Sequence, residues 1–476
     1  MLFHSLDFAL LLIATLIIFY FFPPKIRIYL LSLSDILFYI VSGVEYLLLF
    51  IVVSAIVYFC ALRMIFDSRY KKIYLWTGIL IALSNLIFFK YIGFILTNIN
   101  HILHLNLLQG NILLSHLILP IGISFYTFQL VAYLVDVSKK KIEPCRSILT
   151  FWVFVSFFGH LIAGPIMRGK VYLPQIEKIE YKSFQIENMK YGFYYIVLGL
   201  IKKTIFADTL APKVDFYFSQ TANLNSLEGW FAAYLFAFQL YFDFSAYSDM
   251  AVGIGRLFGL KLDVNFRTPY ISANATEFWK RWHITLSKWI KDYVYIPLGG
   301  SRKGLFSQCL FIIAAMTVSG IWHGASWTFV IWGLYHGLLI TGHKIYTVLT
   351  KNLHPSYTKG LFYKIFSVIL FFQLTTIGWV FFRANNINEA FALVCKMIKL
   401  SHLDYNPVYL TYFLFIALLY LLHLAEYFLT IHRKSLVFFW DKYVPEYLRA
   451  AIYTIILLVL ILFIKTEQNT FIYFQF

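Results

Sequence analysis

Charged residues are scarce in this chain. Only 13% of its 476 residues are Asp, Glu, Lys or Arg, while 60% are hydrophobic and 20% are aromatic. Because a soluble globular protein carries about 25% charged residues, this composition leaves too little polar surface to cover a globule in water. It therefore excludes a secreted or cytosolic domain, a collagen-like fibre and a disordered chain.

Cysteine and the common nucleophile, nucleotide and zinc motifs are also lacking. The four cysteines (Cys60, Cys145, Cys309 and Cys395) are too far apart for a zinc site and too few for a disulfide scaffold. The chain has no Gly-x-Ser-x-Gly elbow, Walker loop, dinucleotide fingerprint or His-Glu-x-x-His helix. Serine hydrolase, ATPase, Rossmann and zincin interpretations therefore lack support, and we expect no metal site and no tightly bound cofactor.

What the chain has instead is apolar runs of about 20 residues, the length of a bilayer span. They cover residues 6–22, 44–62, 73–96, 112–135, 189–211, 227–255, 308–343, 361–382, 408–430 and 450–465. The run 308–343 is long enough for two segments or a hairpin. The first run lacks a basic stretch before it and a small-residue cleavage site after it, so we interpret it as a retained span. The sequence thus predicts an all-α polytopic membrane protein with about eleven spans.

The basic excess of the chain lies mostly between these runs. Lys and Arg number 40 against 23 Asp and Glu, which gives a net charge of +17. The positive-inside rule places the short basic stretches 23–27, 63–72 and 139–146 in the cytoplasm, against anionic lipid. Nucleic-acid binding is therefore discounted. The same rule predicts that the N-terminus, the loop 97–111 and the C-terminus lie on the outer side of the membrane, opposite the cytoplasm.

The segment 151–176 breaks the pattern of simple spans. It contains Phe-Gly-His-Leu-Ile-Ala-Gly-Pro-Ile at 158–166, followed by Arg168 and Lys170. Glycine and proline in a short apolar run predict a re-entrant or interfacial segment, whose irregular backbone must be buried in protein or line a cavity. The alternative is the frayed end of an ordinary span.

The segment 263–304 is both basic and aromatic. Its basic residues are Lys280, Arg281, Lys288, Lys291, Arg302 and Lys303. Their alternation with aromatic residues predicts amphipathic helices in the cytoplasmic headgroup layer, where an anionic ligand could dock. An interface anchor that binds no ligand fits this composition equally well.

Polar groups inside an apolar run form the first candidate site. The run 227–255 contains Asp243, Ser245, Tyr247 and Asp249, and these residues form two pairs that are four residues apart. Ionisable groups at membrane depth are costly, so they line a functional cavity or are buried against partners. A buried network that holds helices in register is as well supported here as a chemical role.

Histidine supplies the second candidate site. His323 lies between Trp322 and Trp327 in the stretch Trp-His-Gly-Ala-Ser-Trp, at the middle of the longest apolar run. Its small neighbours would let another chain or a thin acyl carrier approach the imidazole. A neutral imidazole in apolar surroundings suits a general base, although a lone intramembrane histidine is commonly a packing residue. We expect His336 to be structural, and spacing alone does not join His283 to His323.

Seven motifs give the chain a resemblance to a known family. They are Tyr-Phe-Asp-Phe-Ser-Ala-Tyr-Ser-Asp-Met (241–250), Asn-Phe-Arg-Thr-Pro-Tyr (265–270), Phe-Trp-Lys-Arg-Trp-His-Ile-Thr-Leu-Ser (278–287), Tyr-Ile-Pro-Leu-Gly-Gly-Ser-Arg (295–302), Trp-His-Gly-Ala-Ser-Trp (322–327), Gly-Trp-Val-Phe-Phe-Arg-Ala (378–384) and Phe-Ile-Tyr-Phe-Gln-Phe (471–476). With these seven motifs in this order, the chain resembles membrane-bound O-acyltransferases, specifically the bacterial branch that modifies alginate and peptidoglycan.

The resemblance implies a fold and a set of residue roles. It implies one membrane domain over 1–476, with a catalytic core at 263–343 and a tunnel from a cytoplasmic donor site to an outer acceptor site. His323 matches the family's catalytic histidine, expected to act as general base or to orient the acyl group. His283 matches a second polar position, which is Asn, Asp or His in different branches, and is expected to position the thioester. The residues expected to line the tunnel or substrate site are Asp243, Ser245, Tyr247, Asp249, Trp322 and Trp327.

The resemblance also implies substrates, a partner and a location. Acetyl-CoA or another acyl-thioester is the expected donor, with its phosphates paired to Lys280, Arg281, Lys288 and Arg302. Relatives of this branch work with a periplasmic SGNH-type O-acetyltransferase, so such a partner is implied at the bacterial inner membrane. The acceptor is expected to be a cell-envelope polysaccharide. Richness in Ile, Lys, Phe and Tyr indicates an AT-rich genome, which favours peptidoglycan over alginate or another exopolysaccharide.

Two other function classes stay open. A proton-coupled transporter or flippase would use intramembrane His and Asp residues as a relay and would not need acyl-CoA. An intracellular lipid acyltransferase of the sterol or diacylglycerol type would share the histidine but not the end at 471–476. That end is itself either a docking strip at the outer face or an interfacial aromatic anchor.

Overall fold

The computed structural model describes residues 1–104, 118–351, 360–399, 406–463 and 471. These residues form helices joined by turns, and no β-strand occurs among them. The prediction of an all-α polytopic protein is confirmed. Four predicted features lie partly outside the described residues, namely the loop 97–111, the spans 112–135 and 450–465, and the end at 471–476.

The helices of the first part of the chain lead up to one long helix, α11. In order they are α1 (Leu6–Phe21), α2 (Arg27–Ile40), α3 (Val44–Phe66), α4 (Lys71–Leu86), α5 (Ile92–Leu103), α6 (Ile123–Ser138), α7 (Ile148–Ser156), α8 (Gly169–Glu177), α9 (Ile186–Leu200), α10 (Asp208–Ser219) and α11 (Ser226–Leu257). Two π-helical turns, Ile87–Tyr91 and Ile201–Ala207, join α4 to α5 and α9 to α10.

The second part of the chain begins with short helices and continues with long ones. They are α12 (Ala275–Phe278), α13 (Ile284–Ile290), α14 (Ile296–Leu298), α15 (Gly304–His323), α16 (Trp327–Leu349), α17 (Leu361–Arg383), α18 (Ile387–Lys399), α19 (Val408–Ile431), α20 (Arg433–Tyr443) and α21 (Glu446–Phe463). A π-helical turn at Lys291–Tyr295 joins α13 to α14.

Six helices of the described chain are long and apolar enough to cross a bilayer. They are Val44–Phe66, Ser68–Leu103, Gly304–His323, Leu361–Arg383, Val408–Ile431 and Glu446–Phe463. Their outward surfaces are apolar, and on α19 only Leu419 and His423 are buried among the described residues. Such a surface is stable against lipid, whereas a soluble monomer rarely exposes an apolar patch of this extent.

Polar residues set the start of two helices that carry the candidate site. At α11, the side chains of Asn225 and Glu228 each accept a hydrogen bond from the other's backbone N–H at 3.0 Å, which is a capping box. At α16, Ser326 Oγ accepts a hydrogen bond from Thr328 N at 3.3 Å. These bonds satisfy amide groups that a helix leaves without partners in its first turn.

The long apolar run folds into two helices, α15 and α16, that pack closely on each other. A Cβ built on Gly320 would overlap the carbonyl oxygen of Phe329 and lie 2.9 Å from Gly333 Cα. Glycine is required where two helices approach at backbone contact. Of the two alternatives for 308–343, two segments or a hairpin, the structure shows a hairpin, and His323 is the last residue of its first helix.

The segment 151–176 has the irregular, buried backbone that its glycines and proline predict. Between α7 and α8, every residue from 157 to 167 is buried. The buried Asp35 carboxylate accepts hydrogen bonds from Phe158 N at 2.8 Å and from Ser156 Oγ at 3.0 Å. The bond from Phe158 N gives this backbone amide a partner where the helix is interrupted. The depth of the segment in the membrane stays a prediction.

The segment 263–304 packs its aromatic residues into the protein, and its position in the headgroup layer stays a prediction. Its tryptophans Trp279, Trp282 and Trp289 are buried within the protein. The Trp282 ring, for example, lies 4.8 Å from the ring of Trp379. The sequence pattern alone does not distinguish the two environments, because an aromatic residue next to a lysine can lie in a headgroup layer or in a protein core.

The chain divides into two compact units. The first contains residues 1–199 and 247–264, and the second contains residues 200–246 and 265–476. Large aromatic side chains are fully buried in both, such as Tyr126 and Tyr172 in the first and Trp332 and Trp379 in the second. The single membrane domain over 1–476 with its core at 263–343 stays a prediction.

Candidate active site

His323 is buried in the second unit at the end of α15. Its ring centroid lies 4.9 Å from that of Trp322, 4.9 Å from that of Trp332 and 5.2 Å from that of Phe382. All three rings meet the imidazole edge-on, so apolar surface surrounds it on several sides. The environment is therefore dry, and charges developing there are poorly screened.

The small residues beside His323 serve internal packing. We expected them to admit another chain or an acyl carrier, but the Phe329 ring fills the space beside Gly324, and Gly333 fills the space beside Gly320. The hairpin itself closes these faces of α15. A substrate that meets His323 must therefore approach from another side.

His283 lies at the entry to α13 with a φ of +41°, in the left-handed region that non-glycine residues rarely adopt. Two backbone hydrogen bonds hold the chain on either side of it. Arg267 N donates to Arg281 O at 3.0 Å, and Ile284 N donates to Asn265 O at 3.0 Å. Strained backbone of this kind persists where surrounding structure determines it, and it is frequent at functional sites.

Asn265 adds side-chain bonds to this support. It is fully buried, and its Oδ1 accepts hydrogen bonds from Thr285 N at 3.2 Å and from Thr285 Oγ1 at 2.6 Å. Sequence reasoning assigned no role to Asn265, although it begins one of the seven motifs. An amide side chain between a long apolar helix and a Thr-Pro turn was the signal that could have marked it.

The structure brings His283 and His323 together. Their ring centroids are 6.4 Å apart, and the Trp322 ring contacts both. The Phe244 ring lies 4.7 Å from His283 on another side. Spacing along the chain did not join the two histidines; they meet because α13 packs against α15.

The protonation state of His283 follows from its burial. Desolvation lowers the pKa of His283 to about 3, so its imidazole is neutral at physiological pH. A neutral imidazole has one N–H donor and one acceptor nitrogen. His283 can therefore donate to a carbonyl oxygen or accept from a hydroxyl, and it places no positive charge beside His323.

Asp243 is paired with a buried lysine. Lys203 Nζ lies 2.9 Å from Asp243 Oδ1 and 3.0 Å from Asp208 Oδ1, and all three residues are buried. An ammonium between two carboxylates compensates their charge where water does not. This geometry favours the interpretation of Asp243 as part of a network that holds helices in register. Its role in lining a tunnel stays a prediction.

The other polar residues of α11 have different surroundings. Ser245 is buried in the second unit. Tyr247 and Asp249 belong to the first unit, where the Tyr247 hydroxyl lies 3.3 Å from His4 Nδ1 and Asp249 is half-buried. Their expected contribution to a substrate site stays a prediction.

The residues expected to bind the donor phosphates fall into two groups. The Arg281 guanidinium is paired with Glu277 Oε1 at 2.9 Å, one helical turn before it. Lys280, Lys288 and Arg302 are exposed. A donor-binding role for all four stays a prediction, and Arg281 would have to leave Glu277 to take part in it.

Trp327 and His336 lie beside the histidine pair in different ways. Trp327 begins α16 with 51% of its surface exposed, whereas Trp322 is buried and contacts both histidines. His336 is buried, and its ring lies 4.9 Å from Trp332, the same ring that contacts His323. His336 thus packs against a ring that contacts His323, which fits the structural role that we predict for it.

A polar network on α19 went unnoticed in the sequence. Glu426 Oε1 lies 2.6 Å from Lys202 Nζ, and Glu426 Oε2 accepts a hydrogen bond from the Tyr241 hydroxyl at 2.7 Å. His423, fully buried on the same helix, accepts a hydrogen bond from Tyr270 N at 3.2 Å. The sequence could have indicated this network, because His423 and Glu426 are ionisable residues inside an apolar run.

The first residue of the C-terminal end is packed near the site. Phe471 is fully buried, and its ring lies 5.9 Å from Phe244, which in turn contacts His283. An interfacial anchor would expose this ring, so that interpretation does not fit Phe471. Residues 472–476 lie outside the described part of the chain.

Known proteins resemble this chain over most of its length. It is 37% identical over 397 residues to the peptidoglycan O-acetyltransferase of Helicobacter pylori, covering 78% of this chain and 73% of that protein. It is 36% identical over 385 residues to the probable alginate O-acetylase AlgI of Pseudomonas aeruginosa, covering 80% and 72%. It is also 25% identical over 279 residues to the teichoic acid D-alanyltransferase of Bacillus subtilis, covering 57% and 70%.

The helical membrane fold and the buried histidine pair suit an enzyme that transfers groups within a membrane. The model of the membrane-bound O-acyltransferase family matches residues 36–381, a range that includes both histidines. The chain belongs to the membrane-bound O-acyltransferase family, and it is an acyltransferase.

Proposed function

We propose that this protein takes acetyl from a cytoplasmic acyl-thioester, acetyl-CoA, and passes it across the bacterial inner membrane for O-acetylation of a cell-envelope polysaccharide. Peptidoglycan is the favoured acceptor. The observation that carries the proposal is the pair of buried imidazoles, His323 and His283, whose ring centroids are 6.4 Å apart within an aromatic enclosure.

The proposed chemistry is transfer of an acyl group from sulfur to oxygen. The imidazole of His323 takes the proton of an acceptor hydroxyl, whose oxygen bonds to the thioester carbonyl carbon. The carbon–sulfur bond then breaks, and the leaving thiolate receives the proton from the imidazolium of His323. Acid and base are thus the same group, which is regenerated at the end of each cycle.

His283 is assigned the positioning of the thioester. A neutral imidazole can donate one hydrogen bond to the thioester carbonyl oxygen, where negative charge develops in the transition state. The left-handed backbone at His283 and the bonds from Asn265 to Thr285 support this role, because they restrict the movement of the ring.

The acceptor class rests on the names of relatives at 37% and 36% identity, one acting on peptidoglycan and one on alginate. The amino-acid composition favours peptidoglycan. In this proposal a periplasmic SGNH-type O-acetyltransferase receives the acetyl group and delivers it to the sugar hydroxyl. Exposed Lys280, Lys288 and Arg302 are assigned to the donor phosphates, together with Arg281 once released from Glu277.

The test is ester-linked acetate, released by mild base from the peptidoglycan and the exopolysaccharide of the same cells. Cells carry the intact gene, a deletion, His323→Ala or His432→Ala, with equal amounts of protein confirmed in the membrane. His432 is an exposed histidine and serves as the matched control.

We expect one fraction to lose its acetate in the deletion and in His323→Ala, but not in His432→Ala. The fraction that loses acetate identifies the acceptor. If His323→Ala keeps the acetate that the deletion loses, the assignment of His323 is wrong. If the deletion loses none, the acetyltransferase proposal fails and a transporter becomes the better account.

A further inference from the structure

A cavity of about 400 Å³ opens in the first unit, beside the carboxyl end of α11. Three cations line it: Lys182, Arg256 and Lys261. Amide groups of Gln185 and Asn188 face it as well, and no Asp or Glu is among its lining residues. It is distinct in sequence from the candidate donor residues at 280–302.

The turn that ends α11 shapes one wall of the cavity. Gly259 adopts a φ of +70°, and Leu260 N donates to Gly255 O at 2.8 Å, which closes the helix end. A Cβ built on Gly259 would lie 3.3 Å from Lys182 Cδ. The aliphatic stem of Lys182 therefore packs on this turn, and glycine leaves room for it.

The backbone of both lysines is held in place. Gln175 accepts a hydrogen bond from Lys261 N at 2.8 Å and donates one to Lys261 O at 3.2 Å. The buried Arg27 guanidinium donates to the carbonyl oxygens of Glu180, at 3.0 Å, and of Lys182. The cavity is thus part of the built structure and not a gap between loose side chains.

The three cations make no ion pair with a carboxylate of the described chain. Arg256 Nε is buried without a hydrogen-bond partner there, and its guanidinium lies 4.7 Å from the Tyr191 ring. Burial, and then the charges of Lys261 and Lys178, lower the pKa of Lys182. Buried Lys202, in contrast, is paired with a carboxylate 2.6 Å away. Repulsion between unpaired cations is relieved when an anion binds among them.

We infer that this cavity binds a phosphate group, held by the Lys182 and Lys261 ammonium groups and the Arg256 guanidinium. A planar guanidinium matches two phosphate oxygens at once, and lysines add point charges to the remaining oxygens. Arg27, which donates to the cavity wall, ends the basic stretch 23–27 that we predict to be cytoplasmic. Two sources can supply the phosphate, a soluble phosphate compound and an anionic lipid headgroup.

Protection of lysines from an amine-reactive reagent tests the inference on the intact, full-length protein. The protein is placed in nanodiscs of phosphatidylcholine, with and without coenzyme A or pyrophosphate, and in nanodiscs that contain phosphatidylglycerol. Labelling of Lys182 and Lys261 is measured by mass spectrometry against the exposed Lys72 and Lys139, which lie in other predicted cytoplasmic stretches.

Protection by coenzyme A and pyrophosphate identifies a soluble phosphate ligand, and protection by phosphatidylglycerol alone identifies a lipid. Either result supports the site. If Lys182 and Lys261 are protected no more than Lys72 and Lys139 under all conditions, the inference is overturned.

A pair of double variants provides the second arm. Lys182→Gln with Lys261→Gln should bind the protecting ligand about tenfold more weakly or worse, because two charge-assisted contacts are lost. Lys72→Gln with Lys139→Gln removes the same charge and should bind as the wild type does. Equal weakening in both would show general electrostatics and would overturn the site. Phosphate binding is measured without acyl transfer, so it can succeed or fail independently of the proposed function.

Discussion

Backbone hydrogen bonds, more than any preference of the residue, hold His283 in place. Histidine tolerates the left-handed region better than most residues, yet it adopts it rarely. Here the neighbouring carbonyl and amide groups of Asn265 and Ile284 are bonded to each other, and the Asn265 side chain is bonded to Thr285. In the proposed mechanism Asn265 is therefore a positioning residue, which affects acyl transfer through His283.

Replacing Asn265 tests this role. Asn265→Ala removes the acceptor of two buried hydrogen bonds from Thr285, so we expect a loss of stability of roughly 2 kcal/mol together with a larger loss of acyl transfer. Thermal unfolding in detergent measures the first, and ester-linked acetate in cells the second. Asn385→Ala removes an exposed amide that bonds Glu389 and is the control. Unchanged acetate in Asn265→Ala would show that the His283 backbone does not need this support.

The pH dependence of stability tests the burial of His283. The unfolded chain takes up a proton at His283 below pH 6.5, whereas the folded chain, with its pKa lowered to about 3, does not. Unfolding is therefore favoured increasingly as pH falls from 6.5 towards 3. Compared with His283→Asn, the wild type should lose roughly 2 kcal/mol between pH 7 and pH 5.

Unfolding midpoints of the two proteins across that pH range measure the difference. His283 should also place no inflection near pH 6.5 in the rate of transfer, because it remains neutral there. A parallel pH dependence of stability in the wild type and in His283→Asn would contradict the burial of this imidazole.

Among individual residues, the sequence predicted a role for those that lie in recognisable motifs. His323 and His283 stood out through the stretches around them, but their mutual contact did not. Phe382, Trp332 and Phe244 complete the enclosure from three other helices, and an aromatic residue in an apolar run looks the same whether it faces lipid or a histidine. Only tertiary packing distinguishes the two.

Among the helices, the α15 and α16 hairpin sets the position of His323. Gly333→Ala places a methyl group against the carbonyl oxygen of Met316 and 3.0 Å from Thr317 Cα, so the helices must separate. We expect a loss of stability of about 1–3 kcal/mol and lower acyl transfer. Gly342→Ala, on the same helix, meets open space and should be neutral or slightly stabilising.

Unfolding midpoints and ester-linked acetate, measured for both glycine variants, test whether hairpin packing positions His323. If Gly333→Ala behaves like Gly342→Ala in both measurements, close backbone packing of the hairpin does not position the histidine.

The π-helical turn at Ile201–Ala207 carries the ion network that ties α10 to α11. Lys203→Met removes the ammonium from between Asp208 and Asp243, so two buried carboxylates lose a compensating charge. We expect a loss of stability of roughly 3–5 kcal/mol. Lys190→Met removes an exposed lysine 3.9 Å from Glu187 and should change stability little.

Thermal unfolding and the yield of folded protein from membranes measure this difference. Equal stability of the Lys203→Met and Lys190→Met proteins would show that Asp243 needs no such compensation, and a chemical role for Asp243 would then regain support.

The lengths of the apolar runs predicted most helices. Local composition predicted less well where these helices are interrupted. The hairpin at 308–343 and the buried irregular segment at 157–167 follow from run length and from glycine and proline. The burial of the tryptophans in the segment 263–304 does not follow from its composition. A periodic pattern reports that one face is apolar, but not whether lipid or protein covers it.

For the molecule as a whole, the distribution of apolar surface is the clearest indication of a membrane protein. Helices such as α19 and α21 expose long apolar side chains along most of their length, which suits a lipid environment. Composition alone predicted a lipid environment, because the total apolar surface of the chain depends on which residues it contains and not on how they are arranged. The division into two compact units was not predicted, since it depends on contacts between residues far apart in the chain.

In the proposed mechanism, transfer of acetyl from a cytoplasmic thioester requires the imidazole of His323. Inverted membrane vesicles, which present their cytoplasmic face, are supplied with radiolabelled acetyl-CoA, and label in base-labile esters is measured. We expect label with the wild type and with His432→Ala, and none above the deletion with His323→Ala. Equal label with His323→Ala, or uptake of label that depends on a proton gradient and yields no ester, would contradict it.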